Sequence, residues 1–505
     1  MDEQPGIPLE QEVTVKKDPI ILLLLTILFG VLFDILFYGK ALGVSYPIFT
    51  IAFYGIVLWY MRKDLSLRPD FGWYLTIPVL MLSFTILIYS NEVLLGLNFL
   101  AVPTLLILQT LLITKNTHYA WHDIGILQDI LHGFFMRTFG NIPKPLSLLR
   151  KLIPHKKSQK NDNLKKVFIG LAIAAPLLLI IVSLLASADS IFEHFLGAIP
   201  ELFENIKIGE ILFHGILILS VWFLSFGYIW SLSEQRKESS GSSGNGVKRN
   251  IKILDPVVIT TVLAAMDTIY LIFVFIQFSY LFGSLSTGLP NEFTYAEYAR
   301  RGFFELVAVT MINFCILMGS LGFTKRNNKA TDWLMRILNT LLVGCTLVMV
   351  FSAHFRMSLY EEAYGYTYLR MFTHIFMLFI FVLFLMALYR IWNEKFSLVK
   401  PYIIAFIVAF LFVNYMNVDV IIARNNVNRY YSAKEIDLDY LADLSYDAIP
   451  QIARLLESED TLIVQKANAV LYQKKVHLTE KKPWQSFNLS EYRAKQFLMA
   501  LDLKP

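Results

Sequence analysis

The sequence predicts an all-α, polytopic transmembrane helical bundle of about eleven spans, with a small extracytoplasmic helical C-terminal domain. Three observations predict it. About eleven stretches of 17–27 residues are nearly free of charge, and crossing a hydrocarbon core takes roughly 20 helical residues. The composition is 56% hydrophobic and only 17% charged, where soluble domains carry about a quarter charged residues. Finally, the strict alternation that barrel strands need is absent. A lipid-facing backbone that closes its own hydrogen bonds is then a helix. Length alone, at 505 residues, would suggest two or three soluble domains, and the apolar runs override that expectation.

The spans are expected at 20–38, 45–61, 73–90, 93–113, 167–188, 211–230, 256–282, 303–322, 333–355, 371–392 and 401–417. The first run, Ile20 to Tyr38, is longer than a signal-peptide core and lacks a small-residue cleavage site, so it reads as a retained anchor. Lys and Arg set the orientation. One set of alternate connections holds 27 of them, and the other holds six: Lys40, Lys207, Arg300, Arg301, Arg356 and Arg370. The N-terminus (1–19) is therefore expected in the cytoplasm and the tail (418–505) outside. A six-span part (20–230) contains the basic cytoplasmic segment 114–166, and a five-span part covers 256–417. The Ser/Gly-rich linker 231–255 separates them. No repeat relates the two parts.

Within 114–166, LQDILHGFFMRTF and the basic run after it suggest an interfacial amphipathic helix against anionic head groups, or a solvated loop that enforces topology. His118, His122 and His132 form only a weak metal-like cluster. Cys315 and Cys345 read as small buried residues. The tail holds twelve basic and twelve acidic residues, with Asp447, Asp460 and Ser490 as expected caps of three helices.

Candidate chemistry gathers at the expected outer face of the five-span part. FTYAEYARRGFFEL supplies Glu297, Tyr298, Arg301 and Glu305, with Glu297–Arg301 and Arg301–Glu305 each four apart. The 352–374 segment supplies His354, Arg356, Tyr360, Glu361, Glu362, Arg370 and His374. NYMNVDVIIARNNVNRYY supplies Asn417, Asp419, Arg424 and Arg429. Arg offers planar forked donors for phosphate or carboxylate, and Tyr an apolar plate with a hydroxyl. The same residues also serve as ordinary interfacial anchors or as buried Arg–Glu pairs between helices. Inside the spans, Asp34 and Asp267 are the ionisable residues that stand out, and an intramembrane carboxylate is a functional candidate by default. His214 reads as a satisfied core histidine. P-loop, GxGxxG, HExxH, GxSxG and CxxC patterns are absent, and neither a cofactor, a metal site nor a nucleic-acid partner is expected.

TYAEYARRGFFEL, SAHFRMSLYEEAYGYTYLR, NVDVIIARNNVNRY and DLDYLADLSYDAIPQIARLL, taken in that order over roughly 290–456, resemble a family of bacterial polytopic membrane proteins classed as a domain of unknown function. The resemblance implies a multi-pass protein of the bacterial cytoplasmic (inner) membrane and brings no assigned activity or catalytic residue. The expected task is non-enzymatic: recognition of an anionic lipid or glycan head group, or of a membrane protein partner, at the outer face. Two rivals are a transporter or lipid flippase that uses Asp267, and a membrane enzyme on a lipid-linked substrate that uses Glu297, Glu305, Glu361, Glu362 or His354 as acid or base.

Overall fold

Runs of apolar residues at span length become helices wherever the chain can be followed. The computed structural model describes residues 19–62, 65, 69–123, 125–152, 208–234, 254–283, 303–325 and 328–503. In chain order the main helices are α1 (Pro19–Phe37), α2 (Ser45–Met61), α3 (Phe71–Ile88), α4 (Glu92–Ile113), α5 (Lys144–Leu152), α6 (Ile208–Glu234) and α7 (Pro256–Gly283). They continue with α8 (Phe303–Phe323), α9 (Lys329–Tyr364), α10 (Tyr368–Trp392), α11 (Val399–Tyr415), α12 (Val418–Ala433), α13 (Thr461–Thr479) and α14 (Leu489–Met499). Among the described residues, eight helices are long and apolar enough to cross a membrane, or up to nine if α11 and α12, bent by 56°, count as one. Helix α2, at 17 residues, is apolar but shorter. The stretch expected to span at 167–188 lies outside the described residues, as does most of the linker.

The two ends of the bundle are chemically distinct. At one end the tail touches three inter-helix turns: Val44 N donates to Phe487 O at 2.9 Å, Ser90 N to Asp447 at 3.0 Å, and Tyr366 N to Asn426 Oδ1 at 2.8 Å. At the other end Phe71 stacks on Trp121 at 3.7 Å, Lys400 lies over Trp121 at 6.0 Å, Arg336 pairs with Glu394, and Leu254 bridges Thr324. The described part of the strongly basic set of connections falls at this second end, and the turns poor in Lys and Arg fall at the first.

Between α4 and α5 the chain makes short helical turns (Ile126–Leu131, then a π-helical His132–Arg137). Leu127, Leu131, Phe135 and Phe139 follow at four-residue spacing and are all exposed. Such a stripe suits an element lying in the membrane interface. His118 faces Asp129 at 3.0 Å, while His132 accepts from Arg137 Nε at 3.2 Å, so these histidines turn to separate partners.

The C-terminal membrane helices share a core of Phe303, Leu342, Met349, Met377 and Phe384. The tail has its own core around Ile422, Val427, Tyr430, Ile449, Leu471 and Leu498, and Tyr368, Met371 and Phe372 of α10 pack against it. The core thus runs across the chain division expected at 417. Three local expectations are corrected. Asn488, not Ser490, caps α14 by accepting from Glu491 N at 3.1 Å. Asp447 sits inside a 3-10 turn and sends its carboxylate to Ser90 rather than to its own helix. Cys315 is exposed on the surface of the bundle, while Cys345 is buried as expected. Asp460 does cap α13, accepting from Leu462 N at 2.9 Å.

Candidate functional site

Helix α9 is 36 residues long and carries the outer-face residues on its final turns. Two faces diverge there. Arg356, Tyr360 and Tyr364, at i, i+4 and i+8, share one face. The Tyr360 and Tyr364 rings lie 4.8 Å apart, and the Arg370 guanidinium, from the first turn of α10, sits 4.4 Å from the centre of the Tyr360 ring. Arg370 uses Nη1 on the carbonyls of Tyr364 (3.0 Å) and Gly365. Its Nε and Nη2 donate no hydrogen bond among the described residues. Tyr364 is 55% exposed.

The neighbouring face holds a chain of three side chains. His374 Nε2 lies 3.0 Å from Glu361 Oε2, and His374 Nδ1 lies 2.8 Å from His354 Nδ1. Glu361 is 4% exposed, His374 half-buried and His354 exposed. The line leads from a buried carboxylate through an imidazole to the surface. It does not converge on a point, and among the described residues no group of three His, Cys, Asp or Glu is placed to hold a metal. A carboxylate that orients an imidazole is suited to proton exchange.

Arg429 acts differently from a ligand-binding arginine. It donates to Glu362 O at 2.8 Å and Ala363 O at 2.5 Å, and pairs with Glu435 at 2.7 Å. These carbonyls end α9, where a cation meets the negative end of the helix dipole. Gly365 follows with φ +82°, a conformation that favours glycine.

A second polar hub joins parts of the chain far apart in sequence. Asp419, in the first turn of α12 and 1% exposed, accepts from Asn91 Nδ2 at 2.7 Å, Ser445 Oγ at 2.5 Å and the Tyr368 hydroxyl. Asn91 also caps α4, accepting from Leu94 N at 2.8 Å. Lys474 supplies positive charge nearby and donates to Leu444 O at 2.8 Å. Burial pushes its ammonium down from the lysine range, against the pull of Asp419, Asp443 and Glu92. Burial likewise raises the Tyr440 and Tyr446 hydroxyls. One level deeper, Asn98 Nδ2 donates to Thr85 at 2.8 Å and to Asn414 at 2.6 Å, and ties α3 and α4 to α11.

The remaining candidates scatter. Tyr298 and Arg301, with Glu297, lie outside the described residues. Glu305 is exposed in the first turn of α8, and Arg424 is exposed on α12. Asn417 is the left-handed residue (φ +52°) at the break between α11 and α12. Asp34 meets His214 at 2.6 Å, so two residues singled out separately form one pair. Asp267 lies on α7, 2% exposed, and neither carboxylate oxygen has a hydrogen-bond partner among the described residues. The hub partners Asn91, Tyr368 and Ser445 were not candidates from the sequence. No spacing rule links Asn91 to an acid 328 residues away.

Helices of span length, polar groups paired between them and a tail packed on one end define a multi-pass α-helical membrane protein. The chain belongs to the family described as "Domain of unknown function (DUF4153)", which matches residues 76–455. The match starts in α3, so the family likeness reaches much further toward the N-terminus than the motifs at 290–456 indicate. It includes the partners Asn91, Tyr368, Asp419 and Ser445. No curated protein and no solved structure matches the chain.

Proposed function

We propose that this protein recognises an anionic head group, of a lipid or an envelope glycan, at the end of the bundle that carries the tail. That end faces away from the cytoplasm of a bacterial inner membrane, because the opposite connections hold most of the Lys and Arg. The observation that carries the reading is the Arg370–Tyr360–Tyr364 stack. One edge of the guanidinium is anchored to helix carbonyls, and its remaining donors stay available beside an exposed ring. Anchoring one edge preorganises the other, which lowers the entropy cost of binding. A planar cation beside aromatic plates suits a phosphate or carboxylate attached to a polyol. Arg356 adds a second cation on the same helical face.

Native mass spectrometry of the whole protein tests this, in nanodiscs made with phosphatidylglycerol or with phosphatidylcholine alone, and with an added anionic glycan in a separate arm. Wild type should retain phosphatidylglycerol or the glycan preferentially. Arg370→Gln and Tyr364→Ala should each lower that retention several-fold. Arg429→Gln, which disturbs the same helix end without touching the stack, should not. Equal retention by wild type, Arg370→Gln and Tyr364→Ala in both arms would overturn the reading.

A further inference from the structure

We propose that Asp267 is a proton-binding site in the interior of the membrane bundle, independent of head-group recognition at the outer end. Buried polar groups at the α7, α8 and α9 contacts are arranged in paired rungs. Asn339 Nδ2 donates to Ser320 at 3.0 Å. Tyr270 donates to Asn313 at 2.7 Å, and Asn313 donates to Thr346 at 2.9 Å. Ser352 donates to Gln277 at 2.6 Å. This interface therefore accommodates polar atoms by giving them partners. Asp267 lies on the same helix as Tyr270 and Gln277, one turn below Tyr270, and differs from the rungs: both of its oxygens are buried without a partner among the described residues, whereas Asn339, whose Oδ1 also lacks one, still donates through its amide. Leaving a carboxylate in that state is strongly unfavourable when it is charged. Buried groups left unsatisfied in a native structure call for a functional or ligand-based explanation.

The ligand that removes the charge is a proton rather than a metal ion. A hard cation needs roughly six oxygen donors and a softer one about four ligands. Here the Tyr270 hydroxyl, which interacts electrostatically with Asp267, already donates to Asn313. The titratable groups that interact electrostatically with Asp267 are Tyr270 from its own helix and Cys345 from α9, while α8 contributes the Asn313 amide. None of these supplies a positive charge. A proton needs no further ligand: it forms one O–H bond on the carboxylate, and the site becomes neutral. The rungs on α9 rise from Asn339 through Thr346 to Ser352, two residues before His354. They therefore lead toward the Glu361–His374–His354 chain, whose exposed end can exchange protons with water.

Infrared difference spectroscopy of the full-length protein in lipid membranes, wild type against Asp267→Asn, reads this directly. One protonated-carboxyl band should be present in acid, shift in D₂O and disappear in a single transition as pH rises. Asp267→Glu should move the band. In parallel, dicyclohexylcarbodiimide, an apolar reagent that adds to protonated carboxyl groups, should label Asp267. Its yield should fall about tenfold per pH unit above the transition. A carboxyl that stays ionised or stays protonated from about pH 5 to about pH 9, or that never exchanges with D₂O, would overturn the proposal. Thermal unfolding of both variants checks that the bundle is intact. If Asp267→Asn fails to fold, the Asp267→Glu band shift and the wild-type labelling profile decide the question.

Discussion

Asp419 and Asp267 are buried to nearly the same degree, at 1% and 2% exposure, and share nothing else. Asp419 sits at the outer hub, where an amide, a phenol and a hydroxyl donate to it and a lysine stands nearby. Asp267 lies within electrostatic reach of Tyr270 and Cys345 and has no donor among the described residues. Depth of burial therefore does not decide what a buried acid is for. The first is held by donors that lose their own partner if it goes. The second is left so that a mobile species can complete it.

The largest test of that contrast applies one substitution to both positions. Asp419→Leu should lower stability by on the order of 3–5 kcal/mol, because it strands Asn91, Tyr368 and Ser445 beside a half-buried lysine. Asp267→Leu should fall within about 1 kcal/mol of wild type or be more stable, since it removes an unpaired polar group. Fluorescence-detected melting in detergent measures both, and a comparable loss at Asp267 would break the distinction.

A middle-sized effect is expected where the tail meets the α1–α2 turn. A Cβ on Gly43 would lie 2.5 Å from the Phe487 carbonyl oxygen and 2.7 Å from the Ser486 carbonyl carbon. Both are backbone atoms, so no rotamer change relieves the clash. Gly43→Val should cost about 1–3 kcal/mol and release the tail to protease before the membrane helices melt. Gly55→Val, with nothing within 4 Å, is the matched control. Resistance of the Gly43→Val tail equal to that of the control would show that this contact does not hold the hub closed.

The smallest effect concerns Lys474. Its folded pKa is depressed by burial, so the stability linked to it is complete above the ordinary 10.5 and lost as pH falls through the folded value. Tyr440 and Tyr446 act oppositely, since their raised values give stability that is lost as pH climbs through them. Subtracting the Lys474→Met curve isolates the lysine. The wild-type advantage over that variant should increase as pH rises toward the ordinary lysine value of 10.5. A flat difference would mean that Lys474 is not desolvated by the hub.

What could be read from the sequence divides along the same line. Apolar runs such as Phe303–Phe323 specify their own helices, because length and composition are local properties. Asp460 was legible as a cap for the same reason. Asp267 stood out because one acid in a greasy helix is conspicuous. The outer hub was illegible. Asn488 displaces Ser490 as a cap while its amide also reaches Ile86 O and Tyr89 O, at 3.0 and 2.9 Å, and no local pattern encodes those bonds. Arg370 and Arg429 looked equivalent as forked cations. Only the fold separates the one stacked on Tyr360 from the one committed to helix carbonyls.

The bond from Gln485 to Ile35 O joins residues 450 positions apart, and the bond from Val44 to Phe487 O closes the same gap. Translation delivers the earlier partner hundreds of residues before the later one. Until then the first hairpin waits in the lipid with its rim undressed. Closure of that rim therefore depends on chain made long after the hairpin it covers.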